Sequence, residues 1–148
     1  MGDRNKMLQE GEKILGEYRS LIRDYMKAIG NERWRTNTSQ DYIMVNAEGL
    51  VPETMTGTIS SLIAGSPKNV GKIVILRTDG SEGTVKFSSR KSNSCKLNVN
   101  LSQLMKNGAE KFDGMGGGHD AAAGAKITKD KLDEFLDYLE ENVTKVQS

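Results

Sequence analysis

Cysteine and histidine each occur once in this chain, as Cys95 and His119. A lone cysteine forms no internal disulfide, which fits a reducing compartment. With one residue of each kind there is no Cys/His zinc set, and any nucleophile–histidine pair has to be built on His119. A nucleophile elbow of the form G-x-S-x-G is missing as well. No apolar run approaches the length needed to cross a bilayer, and the polar start offers no signal-peptide core. The expectation is a cytoplasmic protein with no membrane partner. Net charge is nearly absent too, at +1 from 21 basic and 20 acidic side chains. Any electrostatic argument must therefore come from local distribution. At 148 residues the chain suits one compact domain better than two.

The apolar residues that are present fall into clear periods. From Met7 to Ile29, the residues Leu15, Tyr18, Ile22, Tyr25 and Ile29 repeat at three and four, one stripe of a long helix closed by Gly30. Its first ten residues are too polar to be packed by this chain alone, so residues 1–39 read as a connecting helix and loop. Trp34, between Arg33 and Arg35 in the polar stretch Asn31–Gln40, either packs on the domain edge or stacks on a base. Residues 40–148 then read as the domain proper. Tyr42–Asn46 is a short apolar run with the character of a strand buried on both faces. A helix follows from Thr54 to Ala64, opened by Pro52 and closed by Gly65. Lys72–Arg77 and Thr84–Ser89 flank the turn-rich Asp79–Gly83 as an antiparallel hairpin. A short helix over Asn100–Asn107, ending before Gly108, a strand over Ala123–Ile127 and a final helix capped by Thr128 complete an α/β fold, a mixed β-sheet flanked by helices.

Two stretches carry candidate chemistry. Residues 84–107 hold Lys86, Arg90, Lys91, Lys96 and Lys106 without one acid, and the serines at 88, 89, 92 and 94 add neutral donors, so this segment can follow a phosphate backbone. The second stretch is Gly114-Met115-Gly116-Gly117-Gly118-His119-Asp120, followed by small residues. Glycine-rich loops can turn their amides inward as an anion cradle, and a short helix starting after them would add partial positive charge. A flexible surface loop is the competing reading. Asp113 and Asp120 flank this loop, but paired aspartates in glycine turns mostly stabilise backbone, and no metal or cofactor is expected on this chain.

Gly116-Gly117-Gly118-His119 followed by Ala122-Ala123-Gly124 resembles the GGGH-x-x-AAG signature of the DHH phosphoesterase superfamily, and in particular the DHH-associated C-terminal domain of archaeal RecJ-like single-strand exonucleases. Ser88-Ser89-Arg90 at a strand end is similar to that family's serine and arginine element, and the likeness extends over roughly residues 40 to 143. The resemblance implies a domain that closes over a cleft and holds substrate through Arg90 and the loop of Gly116, Gly117, Gly118 and His119, with Ser89 and Lys91 as weaker contributors. It also implies a separate metal-binding DHH domain carrying Mn2+ or Mg2+. This chain lacks the Asp-His-His triplet, so no catalytic residue is expected in it. Its implied partners are single-stranded nucleic acid or a short oligonucleotide, the DHH domain, and replication proteins if the domain serves instead as a scaffold in an archaeal replication complex. A related domain occurs in alanyl-tRNA synthetases.

Overall fold

A computed structural model of the chain describes residues 2–30 and 35–145; Trp34 lies outside them. The N-terminal helix α1 spans Gly2–Ile29, and the Gly30 amide closes it on the Met26 carbonyl at 3.0 Å. Its stripe is only half used. Ile22, Tyr25, Met26 and Ile29 pack against the domain, whereas Leu8, Ile14, Leu15, Tyr18 and Leu21 are exposed. The free start is therefore apolar on one side rather than simply polar.

Six strands form one sheet in the order β1-β2-β3-β4-β6-β5. They are β1 (Arg35–Thr38), β2 (Tyr42–Asn46), β3 (Ile73–Asp79), β4 (Thr84–Lys91), β5 (Met115–His119) and β6 (Ala122–Thr128). Only the β2–β3 pair is parallel, which requires a crossover, and helix α2 (Thr56–Ala64) supplies it. The β3–β4 pair is the antiparallel hairpin its turn residues indicate. Four of the five residues in β2 are buried, as expected of a strand covered on both faces.

Four local expectations need correction. The stretch read as a loop over residues 31–40 contains β1, which β2 recruits as an antiparallel neighbour through its backbone, whatever the strand's own polarity. Helix α3 (Leu101–Lys111) runs through Gly108 instead of stopping before it. A Cβ at Gly108 would lie 2.6 Å from the Tyr138 ring, so glycine there permits close helix packing. The glycine stretch is the edge strand β5, hairpinned to β6, and no short helix follows it. Thr128 precedes a 3-10 turn, Lys129–Lys131, without capping it through its side chain, and α4 (Leu132–Lys145) follows.

The layers follow from strand alternation, since side chains two apart share a face. One face carries Val85, Phe87, Ala125 and Ile127 under α3 and α4, where Phe87 and Phe135 meet edge-on at 4.7 Å. The other face carries Ile43, Val45, Val74 and Leu76 under α2 and the end of α1. Because α2 lies over β3 and β4, this second face stays open beyond it, over the end of β4 and over β6 and β5.

Candidate nucleic-acid interface

The open part of that face is a groove of about 340 Å³ whose lining includes Arg90 and Lys86 on β4, Gly117 and Gly118 on β5, and Ala122 and Gly124 on β6. Thr56, Gly57 and Ser60 from the N-terminal half of α2 form the facing wall. The residues of the floor lie in register. Arg90 pairs with Ala122, and Ala122 pairs with His119, so these three form one row across the sheet. Two strand spacings separate its ends by roughly 10 Å. The next row is Ser88, Gly124 and Gly117, two of three without a side chain. Nothing lies within 4 Å of where a Cβ on Gly117 would stand, so this row is a bare backbone trough. Lys86, one row further, reaches back over it, its Nζ only 3.0 Å from the Cβ position of Gly124.

Not every sequence candidate comes to this groove as a free group. His119 is exposed at the rim, at the end of the Arg90 row, and is not among the lining residues. Gly116 faces the other way: a Cβ there would stand 2.4 Å from the Met105 carbonyl oxygen, so its role is the close approach of β5 to α3. The Ser89 hydroxyl is buried and donates to the Ala123 carbonyl at 2.7 Å, inside the sheet. The Lys91 ammonium lies 3.4 Å from the Asp120 carboxylate. The groove thus keeps two cations without an ion-pair partner among the described residues, Arg90 and Lys86. Lys126, in the Lys86 row, is tied to Glu53 at 2.6 Å and to Ser81 Oγ at 3.0 Å. The bond from Lys126 holds the Glu53 carboxyl below its ordinary pKa.

Ser60 Oγ lies 2.9 Å from Ser88 Oγ and 3.1 Å from the Gly57 carbonyl, so the two hydroxyls bond each other across the groove. Of the groove residues, Lys86 and Gly124 were legible from the period of two along β4 and β6. Thr56, Gly57 and Ser60 carried no such signal, because the crossover alone brings α2 to the groove. No group of three or more His, Cys, Asp or Glu side chains able to hold a metal ion occurs among the described residues. The donor set beside the groove, His119 and an Asp120 committed to Lys91, does not fit a two-metal centre.

Residues 42–145 match the DHHA1 domain family. The chain belongs to that family. An uncharacterized protein of Methanocaldococcus jannaschii is 28% identical to it over 139 residues, 93% of this chain and 28% of that protein. The chain therefore spans little more than a quarter of the length of this curated relative. Among solved structures, the DHHA1 domain is similar to the DHH domain of a member of a ribosomal-protein family, with a TM-score of 0.67 and 20% identity over 93% of this chain and 33% of that one. It is also similar to Thermus thermophilus RecJ in complex with Mn2+, with a TM-score of 0.63 and 17% identity over 92% of this chain and 18% of that one. At these identities the likeness establishes the fold. No helix among the described residues is long and apolar enough to cross a membrane.

Proposed function

We propose that this DHHA1 domain holds the sugar–phosphate backbone of single-stranded nucleic acid for a RecJ-like phosphoesterase. The observation that carries the reading is the meeting of Arg90, Lys86 and the bare Gly117–Gly124 trough in one groove under the N-terminal half of α2. Glycine on the floor lets a backbone approach the sheet, and Arg90 offers a charge-assisted contact to a phosphate oxygen. The α2 N-terminus adds partial positive charge on the facing wall. His119 at the rim extends the row to a neighbouring phosphate. The contribution is positional: it fixes the scissile bond relative to a metal-bearing DHH domain, where Mn2+ or Mg2+ would activate water. In this reading, residues 1–39 connect the two domains, and the exposed Leu8, Ile14, Leu15, Tyr18 and Leu21 of α1 face that second domain.

Fluorescence anisotropy of a labelled single-stranded oligonucleotide tests the reading. Arg90→Ala and Lys86→Ala should each weaken binding about tenfold, a loss typical of one charge-assisted contact. Equal binding by the wild type, Arg90→Ala, Lys86→Ala and His119→Ala would remove the assignment. The same apolar side of α1 favours a second reading, a scaffold in an archaeal replication complex. Copurification with a stable protein partner together with no oligonucleotide affinity would select it.

A further inference from the structure

A second depression lies on the opposite layer of the molecule, between α3 and α4. It has a volume of about 230 Å³, and six of its lining residues are Asn98, Asn100, Gln103, Asn107, Asn142 and Tyr138. Five are carboxamides, none is a carboxylate or ammonium, and the sixth presents an aromatic ring. Two of the amides are partly committed: Asn100 Oδ1 accepts from the Gln103 amide at 3.1 Å and caps α3, and Asn142 Nδ2 donates to the Tyr138 carbonyl at 2.7 Å. The side chains of Asn98, Gln103 and Asn107 make no hydrogen bond among the described residues. Gln103 and Asn107 stand four apart on α3, so their amides project from one face, and both are exposed. Tyr138 is packed by Gly108 and Phe135, and the Lys111 ammonium stands 5.7 Å from its ring centroid, so the ring is a held wall of the depression with one cation beside it.

A carboxamide offers a donor pair beside an acceptor, the complement of a base edge, and a fixed aromatic ring offers a stacking surface. We propose that this amide-lined depression is a nucleobase site, separate from the phosphate groove. The lining residues themselves carry no charge, and their amides select a planar heterocycle, presented by a free nucleoside or by a base of a single strand. It reads the base edge through Gln103 and Asn107, with Asn98 at the mouth.

The test uses the 15N-labelled full chain and unphosphorylated nucleosides, following the side-chain NH2 resonances of Asn98, Gln103 and Asn107. Adenosine, cytidine, guanosine or uridine should shift them with saturation in the millimolar range, equally at low and high salt. Gln103→Ala/Asn107→Ala, at two exposed positions, should weaken that response about tenfold while leaving the fold intact. An oligonucleotide titrated into Arg90→Ala distinguishes the sources: shifts in the same amides indicate a base of a strand, and shifts with nucleosides alone indicate a free nucleoside. Because a nucleoside has no phosphate, this response survives even if the groove assignment fails. Unmoved amides with all four nucleosides, or equal movement by glucose or a short neutral peptide, would overturn the proposal.

Discussion

The salt dependence of oligonucleotide binding separates the groove seen in three dimensions from the basic segment seen in sequence. Each phosphate neutralised on a single strand contributes a slope of about −0.7 to log K against log salt. Counting all five cations of residues 84–107 predicts a slope near −3.5, so that affinity falls about 130-fold between 50 and 200 mM salt. The structure leaves only Arg90 and Lys86 both in the groove and unpaired, because Lys91 is held by Asp120 and Lys96 and Lys106 lie elsewhere. The expected slope is then about −1.4, a sevenfold fall over the same range. Arg90→Ala should halve the slope to about −0.7, and Lys91→Ala should leave it unchanged. Anisotropy titrations of one oligonucleotide at four salt concentrations measure all three. A wild-type slope near the five-cation value, or an effect of Lys91→Ala equal to that of Arg90→Ala, would refute the reasoning.

Further outcomes concern stability. Gly116→Ala brings a Cβ to 2.4 Å from the Met105 carbonyl oxygen and should cost about 2 kcal/mol through overpacking, roughly 6 °C in Tm by thermal denaturation. Gly16→Ala, in an exposed turn of α1 with nothing within 4 Å, should instead raise the helical signal, by up to about 1 kcal/mol of propensity. Burial raises the pKa of the Tyr138 phenol above 10.0, so the folded state keeps this proton when the unfolded chain has lost it. Stability should consequently be intact below pH 10 and decline above it, and Tyr138→Phe should flatten that decline in urea titrations at alkaline pH.

The helices α1, α2 and α4, the two-faced strand β2 and the β3–β4 hairpin were legible in the sequence because each depends on a local period or a turn signal. Arg90, Gly117 and His119 were legible as candidates because a cluster of glycines, a lone histidine and an acid-free segment are visible without a fold. Their sharing of one wall was implied only by the family resemblance, because no local period or turn signal encodes it. Whether β5 is a loop or a strand depends on whether β6 offers an edge, and glycine, with its broad conformational freedom, encodes neither outcome locally. The same limit hid β1, whose polar residues become a strand only beside β2.

What the sequence by itself determined is the inventory: a helix-flanked mixed sheet, one stretch of basic and one of glycine-rich character, and a single histidine and a single cysteine, too few for a Cys/His zinc set. Tertiary structure alone decided which charges remain available. Asp120 reaches Lys91, and Glu53 reaches Lys126 from 73 positions away, Ser89 turns into the sheet, and the β2–α2–β3 crossover carries Thr56, Gly57 and Ser60 over the trough. Charge neutralisation acts through distances of a few ångströms in space, and chain order does not specify those distances.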